Sequence, residues 1–171
     1  LMDLSTTNAA GAVYDTYLNS FRNEDGSINW LPVCADAHGF VVNKDLFEQY
    51  DIPLPTDYES FVSACQAFEA VGIRGFSADY YYDYTCMETL QGLSASELST
   101  VDGRKWRTTY SDPGNTKREG LDSIVWPQVF ERMEQFIQDT GLNQDDLDMN
   151  YDDIVEMYQS GKLAMYFGSS A

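Results

Sequence analysis

Short apolar runs alternate along this chain with longer stretches in which apolar positions recur at helical spacing. Phe40, Val41 and Val42 form an unbroken apolar run, which suits a buried parallel strand better than a surface one. Ile73 to Ser77 and Leu163 to Phe167 predict two more short strands, and Ile28 to Val33 a fourth. Phe61, Ala64, Cys65, Phe68 and Val71 fall on one face of a helix that stops at Gly72. Val129, Met133, Phe136 and Ile137 mark a helix from about Trp126 to Thr140, with Pro127 confined to its first turn. Tyr151, Ile154, Val155 and Tyr158 line a last helix, capped by Asn150 and ended by Gly161.

The remaining pattern is weaker. A short helix is expected near Val13 to Phe21, followed by a turn at Asn23 to Ser27. Asp45 is placed to cap a short helix through Leu46, Phe47 and Tyr50. Ile52-Pro-Leu-Pro55 is extended by proline geometry. Thr56 with Glu59 three residues on reads as a capping box. Met87 to Leu98 is expected to be helical. The polar stretch from Ser99 to Asp122 holds Gly103, Pro113 and Gly114 and reads as a long loop. Strands alternating with longer helices predict an α/β fold, helix-rich, with a small and mostly parallel sheet.

At 171 residues the chain is long enough to build a core, and its wealth of Tyr and Phe argues against disorder. No apolar run of about 18 residues spans a membrane, and no basic segment leads into an apolar one as in a signal peptide. The net charge of -18 repels phosphate backbones, so nucleic acid is not an expected partner. The bland reading of that charge is a solvated acidic surface. Cys34, Cys65 and Cys86 form no CxxC pair and stand with one His, so no zinc site is expected. Cys65 reads as a core residue. Asp146-x-Asp148-x-Asn150 suggests a calcium loop, but Tyr151 and Met157 stand where such a loop needs Gly and Glu. No nucleophile elbow, P-loop or zinc-protease motif is present. No cofactor is expected.

Two segments resemble the family 1 extracellular solute-binding proteins of bacteria, the maltodextrin-binding-protein relatives. The first is Leu31-Pro-Val-Cys-Ala-Asp-Ala-His-Gly-Phe-Val-Val-Asn-Lys-Asp-Leu-Phe47, continued by Leu54-Pro-Thr-Asp-Tyr-Glu-Ser-Phe61. The second is Ser160-Gly-Lys-Leu-Ala-Met-Tyr-Phe-Gly-Ser169. Lys105-Trp-Arg107 and the helix near Trp126 are similar to the sugar-binding branch. The resemblance implies part of a two-lobe, type II binding fold. On this view residues 1–34 end the first lobe and approach the hinge. Residues 35–171 form most of the second lobe and stop at the second hinge strand. The family's Trp after the Gly-Ser turn falls at Ala171, so that ring is missing.

The resemblance further implies the substrate-binding component of an ABC importer, extracellular and lipid-anchored or periplasmic, with a sugar and the permease subunits as partners. The anchor and signal peptide would lie outside this chain. It implies no catalysis. A carbohydrate-active enzyme fragment using two carboxylates, or an acidic protein-interaction module, are the alternatives.

A sugar presents hydroxyls to carboxylates and C–H faces to aromatic rings, so a sugar cleft needs both. Asp36 lies in the crossing segment, where the resemblance implies an acidic ligand contact; otherwise it caps local backbone. His38 either reaches the cleft or is structural. Asp79-Tyr-Tyr-Tyr-Asp-Tyr84 packs four tyrosines and two acids into six residues after a strand. Loops at the carboxyl ends of strands form α/β clefts. At least one Tyr and one Asp there are expected to meet ligand, with Asp79, Tyr82, Asp83 and Tyr84 as candidates, while other rings pack beneath. Gly168, Ser169 and Ser170, after the last strand, offer backbone or hydroxyl contacts, or form a simple hinge turn.

Overall fold

The computed structural model describes residues 1–171 apart from Pro113, 117–119, Ser123 and 170–171. The chain divides into two units. One comprises Leu1–His38 with the C-terminal end from Ser169; the other is Gly39–Gly168.

The first unit contains two single-turn helices, α1 (Asn8–Gly11) and α2 (Asp15–Leu18), and a 3-10 turn at Asn19–Phe21. Thr7 caps α1 through its side chain. The predicted turn at Asn23 to Ser27 is present: Asn23 N–H donates to Ser27 O and Gly26 N–H to Asn23 O. The strand expected over Ile28 to Val33 does not form. Only an isolated antiparallel bridge joins Arg22 to Ile28, and residues 29–37 are irregular. Pro32 removes a ladder donor, and among the described residues no further strand pairs with this stretch. Ile28, Leu18 and Ala10 are this unit's buried apolar residues.

The second unit holds the sheet, a three-stranded array in the order β1-β3-β2, formed by β1 (His38–Val42), β2 (Arg74–Ser77) and β3 (Leu163–Ser169). β2 and β3 are parallel, with Phe76 beside Met165. β1 runs the other way along β3, since Asn43 N–H donates to Ala164 O while Val41 lies by Gly168. The sheet is thus small and mixed, and helix far exceeds strand. Gly168 and Ser169, expected after the last strand, belong to it: β3 continues through both.

Four longer helices belong to this unit: α4 (Tyr58–Ala70), α5 (Asp83–Leu98), α6 (Val101–Ser111) and α7 (Trp126–Thr140); α4 packs on β2, α7 on α4, and α5 on both α7 and α6. The shorter α3 (Lys44–Gln49) and α8 (Tyr151–Gln159) complete the unit. Two caps differ from expectation by one or two residues. Asn43, not Asp45, caps α3 by accepting from Leu46 N–H. Asp57 and Ser60, not Thr56 and Glu59, form the capping box of α4. Asn150 caps α8 as expected.

The largest departure is α6, where a loop was expected. Thr100 caps it by accepting from Gly103 N–H, but only Gly103 and Trp106 are buried along it. So narrow an apolar stripe gives no helical period. Gly103 is there for space: a Cβ would collide with the backbone of Glu97 and Leu98 where α5 turns into α6. Pro113, part of the expected loop, lies outside the described residues.

The core gathers Leu46, Phe47, Phe61, Cys65, Phe68, Phe76, Phe136 and Met165. Phe61 stacks on Phe136 at 6.1 Å, and Phe76 meets both rings edge-on at 5.5 Å. A Cβ on Gly75 would lie 2.5 Å from Cys65 Cα. Glycine therefore lets α4 lie directly on β2. Burial pushes the Cys65 thiol up to about 12, as expected for a core residue rather than a reactive one.

Candidate functional site

β2 ends at Ser77, and the chain that follows is built as a short, heavily bonded turn. Tyr80 N–H donates to Ala78 O at 2.8 Å, and Tyr82 N–H to Asp79 O at 3.1 Å. Tyr81 N–H donates to Met149 O at 3.0 Å, so the turn is tied to chain that comes almost seventy residues later. α5 begins at Asp83 rather than near Met87. Of the predicted loop, Asp79 to Tyr82 precede α5, while Asp83 and Tyr84 are in its first turn.

The four tyrosines divide by burial. Tyr80 is the inward one: it is buried, and its hydroxyl shares a hydrogen bond with Thr89 at 3.2 Å. Burial pushes its phenol up to about 12. Tyr81, Tyr82 and Tyr84 are exposed. Tyr82 and Tyr84 lie nearly parallel, 18° apart with centroids 5.3 Å apart, and Tyr81 stands perpendicular to Tyr82 at 5.2 Å. The Asp79 carboxylate accepts from Thr85 Oγ1 at 2.9 Å and from Tyr84 OH at 3.4 Å. Desolvation, followed by the charge of Asp79, raises the Tyr84 phenol. Asp83 is exposed at the start of α5. This part of the surface therefore combines stacked rings with two carboxylates, the chemistry a hydroxyl-rich ligand needs.

The support beneath the turn was not anticipated. Asp146, almost fully buried, accepts from Arg74 Nη2 at 2.5 Å, Ser77 Oγ at 2.7 Å and Asn143 N–H at 2.7 Å. It sits in the 3-10 turn Gln144–Asp148, just before Met149. One carboxylate thus bolts the segment carrying Met149 O to both ends of β2. This is the acid that begins the Asp146-x-Asp148-x-Asn150 pattern, and its oxygens are spent on protein donors. Among the described residues, no group of three or more His, Cys, Asp or Glu is arranged to hold a metal. Sequence spacing carries no signal for Asp146, because its partners Arg74 and Ser77 are about seventy positions away.

The other candidates lie elsewhere. Asp36 is exposed in the irregular stretch before β1, and His38 is exposed as the first residue of β1. Both belong to the first unit. Gly168 is half-buried in β3, where a Cβ would lie 2.9 Å from the Tyr166 ring. Ser169 is exposed as the last residue of β3. Ser170 and Ala171 lie outside the described residues. The structure brings Asp79, Tyr82 and Tyr84 together, with Asp83 adjacent in sequence. The unit boundaries fall inside β1, at His38, and inside β3, at Gly168.

The family profile described as bacterial extracellular solute-binding protein matches residues 1–171, the whole chain. The chain belongs to that family. Its fold is part of a two-lobe solute-binding protein. A protein from Caldanaerobius polysaccharolyticus, solved in work on xylan utilization, is similar with a TM-score of 0.76 and 16% identity over 99% of this chain and 42% of its own. The RafE binding protein of Streptococcus pneumoniae, solved with raffinose, gives 0.73 and 20% identity over 99% and 43%. A probable secreted solute-binding lipoprotein from Streptomyces coelicolor gives 0.73 and 14% over 99% and 42%. No curated protein sequence matches the chain. The chain spans about two fifths of the length of the solved proteins it resembles.

Proposed function

We propose that this chain is part of the substrate-binding component of an ABC importer, and that the parent protein binds a sugar or oligosaccharide and delivers it to a membrane permease. The observation that carries this reading is the parallel Tyr82–Tyr84 pair beside the Asp79 and Asp83 carboxylates at the carboxyl end of β2. Membership of the extracellular solute-binding family supports it, as does likeness to a protein solved with raffinose. On this reading the unit Gly39–Gly168 is most of the second lobe, and β1 and β3 are hinge strands. Asp36, His38, Gly168 and Ser169 then contribute ligand contacts at the two crossings. Ligand touching both lobes favours the closed state over the open one, and the permease reads that difference. The parent is extracellular, held by a lipid anchor outside this chain or free in a periplasm. It breaks no bonds in its ligand.

Calorimetry of the full-length parent against an oligosaccharide panel that includes raffinose tests this. A member of the panel binds, and Asp36→Ala weakens that binding roughly tenfold to hundredfold, the loss of a charged hydrogen bond of about 1.5–3 kcal/mol. The panel is recovered unchanged after incubation. Turnover abolished by replacing one Asp or Glu would make the protein an enzyme instead, and an affinity indifferent to Asp36 would move the cleft.

A further inference from the structure

The two carboxylates of the tyrosine-rich turn are not equivalent. Asp83 is exposed at the first position of α5. Asp79 is half-buried and committed. One of its oxygens accepts from the hydroxyl of Thr85, a residue that is 1% exposed, so that oxygen faces inward. The other accepts from Tyr84 OH. Tyr84 is half exposed and carries two freely rotating side-chain torsions, yet its ring lies nearly parallel to Tyr82. The far end of that ring is joined to Asp79 by a hydrogen bond of 3.4 Å from the Tyr84 hydroxyl, and its face rests on Tyr82. The same carboxylate ties two side chains of the first turn of α5, Tyr84 and Thr85, to the residue that precedes the turn, where Tyr82 makes no side-chain cap.

We propose that Asp79 is a positioning residue, which sets Tyr84 against Tyr82 and leaves the rings, not its own carboxylate, to meet the ligand. This rests on the reading that the turn faces a sugar. Asp79 then raises affinity by removing ring disorder before binding, because a ligand that finds its platform already ordered loses less entropy on docking. The acid that accepts sugar hydroxyls from this turn is Asp83.

The test uses the full-length parent with ring-labelled tyrosine, the signals of Tyr82 and Tyr84 being assigned through the Tyr82→Phe and Tyr84→Phe variants. Without any ligand, Asp79→Ala moves the Tyr84 ring resonances toward those of a free tyrosine. Asp79→Asn, which keeps an acceptor oxygen, leaves them near their native positions. With raffinose or the oligosaccharide of the panel that binds, Asp79→Ala weakens affinity about tenfold and Asp79→Asn less than threefold. Asp79→Ala adds no further loss to Tyr84→Ala, because the two act as one device. Ring resonances unmoved by Asp79→Ala overturn the proposal. So does Asp79→Asn weakening binding as much as Asp79→Ala with the rings in place, which would make the carboxylate a direct contact. Full additivity of the Asp79 and Tyr84 losses overturns it as well. Should the unmodified parent bind no sugar, the functional reading falls, while the ligand-free resonances still decide whether Asp79 positions the ring.

Discussion

Two sets of aromatic rings flank the same strand, β2, and do opposite work. Phe61, Phe76 and Phe136 are buried and interlock in stacked and edge-on pairs within the core. Tyr81, Tyr82 and Tyr84, a few residues beyond the strand's end, are exposed and pack mainly on one another. The phenylalanines have no polar atom to satisfy, so burial gains free energy without a desolvation cost. A tyrosine is tolerated inside only with a partner, and Tyr80 shows the condition being met through Thr89. Aromatic rings thus build the core around Phe76 and lie exposed at the surface a few residues beyond the strand's end. The strand is the rigid element that positions both.

The comparison can be broken most forcefully at the core. Phe76→Ala removes a ring that touches Phe40, Phe61 and Phe136, and is expected to cost about 3–5 kcal/mol of stability, read as a lowered denaturant midpoint at unchanged slope. Asp146→Ala comes next. It strips Arg74 of its buried partner and releases the chain that carries Met149 O, with an expected loss of about 3 kcal/mol. Asp146→Asn retains the shape and should recover part of that. If Asp146→Ala leaves stability unchanged in urea titrations, the bolt beneath the turn has been misjudged.

A smaller effect separates Tyr80 from its exposed neighbours. Burial pushes its phenol up to about 12, against 10.0 for an ordinary tyrosine. The folded state therefore holds this proton more tightly than the unfolded one. The resulting stability is fully present below pH 10 and is lost as pH rises from 10 toward 12. Tyr80→Phe should make the alkaline decline in stability shallower over that window, by on the order of 1–3 kcal/mol. Cys65, also pushed up to about 12, leaves a residual slope that the variant does not remove. The smallest effect on folding is expected at an exposed ring: Tyr82→Ala should change stability by no more than about 0.5 kcal/mol while weakening the proposed sugar binding of the full-length parent severalfold in calorimetry. A large loss of stability there would place Tyr82 with the core rings, and the contrast would fail.

Much of this architecture was legible because it is local. The helices α4, α7 and α8 announce themselves through apolar residues at helical spacing, and Asn150 and Pro127 stand where caps and first turns require them. The tyrosine-rich segment stood out by density alone. What failed also failed for local reasons. α6 buries only Gly103 and Trp106, too little to show a period, so its charged residues read as a loop. The stretch after Ile28 has the composition of a strand, but among the described residues no strand pairs with it beyond the bridge from Arg22 to Ile28, and pairing is not a property of one segment.

The sequence by itself determined most of the longer helices and the three strands of the sheet, the apolar faces that build the core, the family, and the dense tyrosine-rich segment after β2. Those follow from spacing along the chain, because side-chain direction repeats with the backbone. Tertiary structure alone decided which tyrosine turns inward, that the Asp146 carboxylate accepts from Arg74, Ser77 and Asn143, and that the Asp79 carboxylate accepts from Thr85 and Tyr84. Each of those depends on where a side chain's hydrogen bonds are satisfied. A carboxylate has the same charge and the same acceptors wherever it stands; only folding brings the donors that determine what it does.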